Sequence, residues 1–409
     1  MNDSLRIAAD LIAAGLRLDA TPARTRQLIA EAREMDWPRL LDHADGHSLT
    51  PLLCDVWRGA FDLLPLDAVA RLEKSYADNA RRNEHTRAEF FQLSQILEGA
   101  SVPAIVLKGW PLVERLYASP AQRVLYDFDF LVRREDANRG YAALLAAGYR
   151  PLPQKGDVWV EKHLPSVWRD GGYQWDGYLF DPLYPRPVEL HVRLWEDRWR
   201  GLTVRGLTAL DLWADARTRP VAGRPTRVLS DENTLIHLAM HFAGHWVERE
   251  ARLNQLLDLA RIMGDVHRGE GLDWEIVLAR GEAAGVTRFV YASLFLAGQI
   301  FGAPPPPPYI WARMDAACPP ALRAWLTAGG VEDVLTSDYR RRSRGADYRL
   351  TFMSAASFGE KLGVARFAFA PPVEQLVAKY HLPARWLGHF AYPAYVTERT
   401  WTYLRGMVK

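Results

Sequence analysis

Two aspartates stand two positions apart inside an apolar run, residues 127–132, which read DFDFLV. On a β-strand, residues i and i+2 project from the same face. The carboxylates of Asp127 and Asp129 therefore leave one face, while Phe128 and Phe130 enter the core on the other. Paired carboxylates repel each other unless a cation lies between them, and Mg²⁺ binds one or two carboxylates together with substrate phosphates. The pattern predicts a metal site, with a solvated acidic strand face as the alternative.

A strand, a glycine turn and a helix precede this pair. Residues 102–107 are apolar and partly β-branched, Lys108 and Gly109 form a turn, and residues 110–117 have helical apolar spacing. A helix that begins after a glycine turn offers unpaired N–H groups to an anion. Lys108 adds a point charge there, and Arg123 adds a forked donor. We therefore expect phosphate-binding groups beside the metal site, although a structural salt bridge is an equal alternative for Arg123.

A third carboxylate lies downstream. Residues 187–194 alternate apolar and polar side chains with period two, so Glu189, His191 and Arg193 share one face. If this strand pairs beside the Asp-x-Asp strand, Glu189 reaches the same metal site. The alternative is an exposed edge strand.

These segments resemble the uncharacterised bacterial nucleotidyltransferase family of the DNA polymerase beta superfamily. The resemblance is firm over residues 100–195 and weaker over 230–265. It departs from the superfamily at Tyr126, where a small residue is usual, and at Lys108-Gly109, which replaces Gly-Ser. The residues that carry it are Leu107-Lys108-Gly109, Leu116-Tyr117, Arg123, Asp127-Phe128-Asp129-Phe130-Leu131-Val132 and Glu189-Leu190-His191.

The resemblance implies an α+β fold, with a small mixed-sheet core flanked by N- and C-terminal helical regions. It also implies transfer of a nucleoside monophosphate from a nucleoside triphosphate (NTP), such as ATP, to an acceptor, with release of pyrophosphate. Asp127, Asp129 and Glu189 would ligate Mg²⁺ or Mn²⁺, and Glu189 would help deprotonate the acceptor. Lys108 and Gly109, with Arg123 as a weaker assignment, would contact the triphosphate.

A histidine-rich helix follows the predicted core. Ser230 or Asp231 caps it, and the chain then places His237, His241 and His245 on one helical face. No glutamate follows His237 directly, so the zinc-peptidase pattern fails, and structural, substrate-binding and metal roles remain open. Together with the resemblance, this makes His191, His241 and Asp258 candidates for the acceptor side.

Composition sets broad limits. The chain has 409 residues, is 49% hydrophobic and 24% charged, and carries a net charge of +2. These hydrophobic and charged fractions are typical of a folded protein. The small net charge does not indicate a nucleic-acid partner. Only Cys54 and Cys318 occur, which favours a reducing cytoplasm over a disulfide framework. We see no signal peptide and no run of ~18 apolar residues that would span a bilayer.

The sequence patterns divide the chain into four regions. A proline run at 304–308 favours a stiff spacer and marks the last boundary. An irregular insertion at 151–187 precedes the Glu189 strand and could cover the site. The regions are 1–100, helical; 101–195, the nucleotidyltransferase core; 196–303, a helical domain; and 304–409, helical and aromatic.

The C-terminal region carries two compositional features. Arginines cluster at 339–349, either as a solvated face or as a binder of an acidic acceptor. Residues 363–409 interleave aromatic and basic residues, for which packing is the first explanation and peripheral membrane contact the second.

The leading hypothesis is a stand-alone, metal-dependent nucleotidyltransferase that acts on a small molecule, sugar or peptide. The alternatives are a toxin-like transferase that modifies tRNA or protein, a non-catalytic nucleotide-binding protein and, weakest, a zinc hydrolase. The near-neutral charge argues mildly against tRNA, and the three carboxylates argue against a non-catalytic protein.

Overall fold

The computed structural model describes most of the chain. The residues described are 3–32, 34–152, 162–169, 171–197, 199–205, 209–248, 250–267, 271–337 and 347–407. Within these ranges the protein is an α+β structure in which helices surround one mixed β-sheet. The fold class expected from the sequence is thereby confirmed.

Helices dominate both ends of the chain and the segment between the sheet strands and the C-terminus. The first five are α1 (Asp3–Gly15), α2 (Pro22–Glu31), α3 (Trp37–Gly46), α4 (Thr50–Trp57) and α5 (Leu66–Gly99), and the core adds α6 (Trp110–Leu116) and α7 (Arg134–Ala146). The next five are α8 (Ala209–Ala214), α9 (Asp231–Val247), α10 (Leu253–His267), α11 (Trp274–Ala284) and α12 (Thr287–Phe301). The last seven are α13 (Pro308–Ala316), α14 (Pro320–Trp325), α15 (Val331–Leu335), α16 (Asp347–Met353), α17 (Phe358–Phe369), α18 (Val373–Lys379) and α19 (Tyr392–Met407).

The sheet lies at the centre and its strands run in the order β3-β4-β5-β2-β1-β7-β6. Strands β2 and β5 are parallel neighbours, as are β1 and β7, and the other pairs are antiparallel. The strands are β1 (Ala104–Val106), β2 (Phe128–Val132), β3 (Arg150–Pro151), β4 (Val167–Trp168), β5 (Val188–His191), β6 (Arg217–Val221) and β7 (Arg224–Val228).

The two faces of the central strands meet different helices. Phe128 and Phe130 lie in a buried cluster with Phe90 of α5, where the rings of Phe90 and Phe130 stack with centroids 6.2 Å apart. Leu131, which points the other way, joins the larger cluster built around α9 and α10. Period-two alternation in β2 therefore buries one apolar set under α5 and turns the Asp-x-Asp face towards α9.

The largest difference from the sequence prediction is the β6–β7 hairpin, which lies within the region predicted to be helical. Ala222 and Gly223 both have positive φ, at 52° and 85°, as a tight hairpin turn requires. Strand β7 pairs with β1 at Val228, so the sheet extends past residue 195. Exposed arginines and prolines in these two strands hide the apolar alternation that normally reveals a strand.

Smaller differences concern element ends. Helix α13 begins at Pro308, the last proline of the run, because proline is tolerated in the first turn of a helix. Most of the predicted arginine cluster lies outside the described residues, as do residues 153–161 of the insertion. Among the described helices, none combines the length and apolar character needed to cross a bilayer.

Candidate active site

Strand register brings the predicted carboxylates together. In the parallel β2–β5 pair, Asp129 lies opposite Glu189 and Leu131 lies opposite His191. Asp127 directly precedes β2 on the same face as Asp129. Facing residues of a parallel pair point to the same side of the sheet, so Asp127, Asp129, Glu189 and His191 converge on one surface.

Lys108 neutralises the acidic pair. Its Nζ lies 2.8 Å from Asp127 Oδ1 and 2.6 Å from Asp129 Oδ2. Burial alone would favour protonated aspartates, but Lys108 and His191 outweigh it at Asp129 and hold the pKa of that carboxyl well below its usual range. Burial and the neighbouring Asp129 charge instead raise the pKa of Asp127. The ammonium thus occupies the place between two carboxylates where sequence reasoning expected a metal ion.

His191 joins the acidic cluster. Its Nε2 lies 3.0 Å from Asp129 Oδ1 and 3.2 Å from Glu189 Oε2. These two hydrogen bonds outweigh burial and raise the pKa of His191. Burial opposes ionisation of Glu189, but His191 lowers the pKa of this carboxyl to about 2. His191 therefore lies beside the carboxylates, and its predicted role on the acceptor side stays a prediction.

The insertion places two further side chains next to Glu189. Ser166 Oγ donates to Glu189 Oε1 at 3.1 Å, and His163 Nε2 lies 3.4 Å from Glu189 Oε2. Burial lowers the pKa of His163, and its Nδ1 lies 2.6 Å from the carbonyl oxygen of Leu164. In the neutral ring Nδ1 therefore carries the proton, and Nε2 presents a lone pair to the cluster.

The donor set fits a divalent cation. Atoms of Asp129, Glu189 and His191 all lie within 4.8 Å of one another, the one such group found among the described residues. Carboxylate oxygens suit Mg²⁺ and Mn²⁺, and an imidazole nitrogen is a ligand that transition metals accept. Asp127 precedes this strand on the same face and pairs with Lys108.

Arg123 and Asp258 bind each other instead of facing the cleft. Arg123 Nη2 lies 2.7 Å from Asp258 Oδ2, its Nε lies 3.0 Å from Oδ1, and Tyr117 Oη donates to the same Oδ1 at 2.6 Å. The three side chains are buried. Arg123 and Asp258 thus bind each other in this structure, as in the salt-bridge alternative for Arg123, and the contacts of Arg123 with nucleotide and of Asp258 with acceptor stay predictions. Their contacts tie the loop before β2 to α10.

Helix α5 holds the same loop from the other side. Asn79 donates to the carbonyl of Ala121 at 2.7 Å, and Asn83 donates to the carbonyl of Arg123 at 2.9 Å. Arg82 donates to the carbonyl of Leu125 at 3.1 Å. Burial is the main cause that lowers the pKa of Arg82, to about 10. The polar side chains at 79, 82 and 83 are therefore buried within α5 because they bind this loop.

Gly109 has a positive φ of 81°, which favours glycine and supports the predicted turn. The helix that follows, α6, has only seven residues, and Lys108 is already paired. The expected phosphate site at this helix start therefore lacks the free cation that the sequence suggested.

A cleft of about 1710 Å³ opens in front of the acidic cluster. The face of α9 that carries His237, His241 and His245 forms one wall, and residues of α17 to α19 form another. His237 is 4% exposed, and burial lowers its pKa to about 3. Burial also lowers the pKa of His241 and His245. The cleft is therefore lined by neutral imidazoles opposite an acidic cluster.

Sequence reasoning missed Lys162 and His163 in the insertion and the C-terminal wall. The alternation of residues 187–194 predicted that His191 shares a strand face with Glu189. The insertion reaches the cleft only because residue 163 pairs with residue 191, and the sequence does not reveal that pairing. The C-terminal wall includes Arg366, Tyr392 and Tyr395, which no local motif marks.

The fold and the site define an α+β protein whose mixed sheet presents a cluster of carboxylates and a histidine at the base of a cleft. A family model described as uncharacterised nucleotidyltransferase matches residues 33–302, and the chain belongs to this family. The resemblance noted in the sequence is confirmed. Comparison with curated proteins and with solved structures found no match.

Proposed function

We propose that the protein is a metal-dependent nucleotidyltransferase that moves a nucleoside monophosphate from an NTP to an acceptor hydroxyl or phosphate and releases pyrophosphate. Family membership supports the general chemistry. The single observation that carries the proposal is the β2–β5 register, which sets Asp129 opposite Glu189 with Asp127 beside them.

The reaction forms a bond between an acceptor oxygen and the α-phosphorus and breaks the bond from that phosphorus to the oxygen bridging to the β-phosphate. The bond's electron pair leaves with pyrophosphate, and the acceptor proton passes to a base. A Mg²⁺ or Mn²⁺ ion held by Asp127, Asp129 and Glu189 would neutralise phosphate charge and align the reacting oxygens. The chain supplies positioning and electrostatics.

Glu189 is suited to two roles in this site. With a pKa of about 2, it remains ionised across the physiological range, so it can hold a cation and accept hydrogen bonds from the acceptor. Ser166 and His191 fix the orientation of its two oxygens. A carboxylate held in this way supports in-line transfer without rearrangement during the reaction.

The cleft is large enough for two substrates. Its volume of about 1710 Å³ exceeds the range of roughly 300–1,000 Å³ that is usual for one small-molecule site. The neutral histidines of α9 and the Tyr-rich C-terminal wall remain available for an acceptor. We favour a small molecule, sugar or peptide, because the net charge of +2 provides no broad basic surface for tRNA.

Replacement of Asp129 by asparagine tests the proposal. The near-isosteric Asp129→Asn variant should lose Mn²⁺ binding in calorimetric titration and lose release of pyrophosphate from NTPs incubated with cell metabolites. Asp62→Asn, at an exposed surface pair with Arg26, is the matched control and should behave as wild type. Wild-type turnover by Asp129→Asn would exclude the assigned site.

A further inference from the structure

The cleft contains more cationic side chains than the acidic cluster uses. Four of them have partners: Lys108 pairs with Asp127 and Asp129, Arg200 with Glu248, Arg385 with Glu374, and Arg399 donates to Tyr395 Oη. Lys162 and Arg366 make no ion pair or side-chain hydrogen bond with the part of the chain that the structure describes. Unpaired cations in a cleft are the groups left to bind an anionic ligand.

Of these two, Lys162 lies beside the acidic cluster. Its carbonyl oxygen accepts from the backbone N–H of Val192 at 2.8 Å and of Arg193 at 3.2 Å. The next residue, His163, forms a bridge with His191 and contacts Glu189 at 3.4 Å. The backbone of Lys162 is thus fixed to the end of the strand that carries Glu189 and His191. Arg366 lies on α17, in the opposite wall.

The charge of Lys162 also reaches across the cleft. After burial, which is the main cause, the Lys162 ammonium is among the groups that lower the pKa of His237, His241 and His245. Lys162 also lines the same cleft as the carboxylates and the α9 histidines, so it lies on the wall beside the proposed phosphate position.

We infer that Lys162, and not Lys108, is the side chain that binds the polyphosphate tail of the nucleotide donor. This inference rests on the proposed function. The ammonium of Lys108 is committed to two carboxylates, whereas that of Lys162 is free to pair with the β- and γ-phosphates. As the bond to the α-phosphorus breaks, the departing pyrophosphate gains negative charge, and the Lys162 ammonium stabilises it.

The test compares Lys162→Met, which keeps the apolar stem and removes the charge, with Lys162→Arg, which keeps the charge. Calorimetric titrations with Mn²⁺ use the four ribonucleoside triphosphates, their monophosphates and inorganic pyrophosphate. Lys162→Met should weaken binding of the triphosphate and of pyrophosphate by about tenfold or more, as expected for one lost charge-assisted contact. It should leave monophosphate binding unchanged, and Lys162→Arg should retain most of the triphosphate affinity.

Lys361→Met is the matched control, because Lys361 is exposed on α17 outside the residues that line the cleft. Thermal unfolding of each variant confirms that it is folded. Unchanged triphosphate affinity in Lys162→Met overturns the inference and leaves the proposed function standing. A wild-type protein that binds none of the triphosphates overturns the proposed function, and the inference with it.

Discussion

At the scale of single residues, the site is a balance between three carboxylates and two cationic partners. Lys108 and His191 stabilise ionised Asp129 despite its burial, because opposite charges within about 4–6 Å favour the charged form. A buried acidic cluster without such partners would be protonated. Under the proposed function, Lys108 is the group with which a bound cation would compete for the oxygens of Asp127 and Asp129.

This competition gives the first prediction. Lys108→Met should lower the melting temperature of the metal-free protein, because it removes the ammonium from Asp127 and leaves the buried Asp129 with His191 as its remaining partner. The same change should increase the affinity for Mn²⁺, since no ammonium occupies the carboxylate oxygens. Thermal unfolding with and without Mn²⁺ measures both effects through ligand-linked stabilisation. A variant that Mn²⁺ stabilises less than it stabilises wild type would contradict this account.

At the scale of elements, the loop between α6 and β2 sets the position of Asp127 and Asp129. Asn79, Arg82 and Asn83 of α5 hold its carbonyl groups, and Arg123 joins it to Asp258 of α10. Two helices that belong to different parts of the sequence thus fix the loop that leads to Asp127 and Asp129. The polar contacts of α5 and α10 with this loop position Asp127 and Asp129, although the contacting side chains do not line the cleft.

Removal of Asp258 should therefore destabilise the fold. Asp258→Ala leaves the Arg123 guanidinium buried without its carboxylate, and breaking a buried ion pair in this way costs about 3–5 kcal/mol. Chemical denaturation measures the change in the free energy of unfolding. Glu282→Ala, which breaks the exposed pair with Arg313, is the control and should cost at most about 1 kcal/mol. Equal effects of the two changes would show that the buried pair has no special role.

The histidine face of α9 makes stability depend on pH. The pKa of His237 falls from 6.5 in an unfolded chain to about 3 in the fold, chiefly through burial. As the pH falls below 6.5, His237 becomes protonated in the unfolded chain. In the folded protein it stays neutral until the pH is near 3. Stability is lost across that window, by about 1.4 kcal/mol per pH unit for this group. His191, whose pKa is raised, contributes with the opposite sign.

His237→Gln removes the His237 contribution. Between about pH 7.5 and about pH 5.5, the variant should lose roughly 1 kcal/mol less stability than wild type. Urea unfolding at several pH values measures this difference. His85→Gln, at an exposed position on α5, is the control and should retain the wild-type slope. If His237→Gln also retains the wild-type dependence of stability on pH, His237 is not a neutral buried group in the folded protein.

At the scale of the whole molecule, the C-terminal helices have two sides. One side lines the cleft with Arg366, Tyr392 and Tyr395. The other leaves large apolar side chains in solvent, so packing does not explain the aromatic tail completely. Those exposed by more than half are Phe358, Leu362, Trp386, Phe390 and Trp401.

This exposed side favours peripheral contact with an anionic membrane. Residues 347–407 contain seven Lys and Arg against four Asp and Glu, and apolar side chains combined with positive charge are typical of interfacial binding. We expect the protein to co-sediment with anionic vesicles and to lose that binding when Trp386 and Phe390 are both changed to serine. Trp175→Ser, at an exposed tryptophan in the insertion, is the control. Equal sedimentation with and without vesicles would exclude the contact.

The sequence by itself determined the local parts of the site. Period-two alternation assigned Asp127 and Asp129 to one face of β2, the same alternation put Glu189 and His191 on one face of β5, and Ser230 capped α9 as predicted. Each of these features depends on residues only a few positions apart in sequence, which the strand and helix periods relate to one another. The family resemblance rested on the same local motifs.

Tertiary structure decided which of these parts meet. Arg123 looked free to bind phosphate, yet it lies against Asp258, which is 135 residues away in sequence. Lys108 looked like a phosphate ligand, yet it neutralises the aspartates, whereas Lys162 from an irregular insertion remains unpaired within the described residues. Charged side chains carry no local pattern that reveals their partners, because an ion pair depends on distance in space and on burial, and both are set only when distant segments pack together.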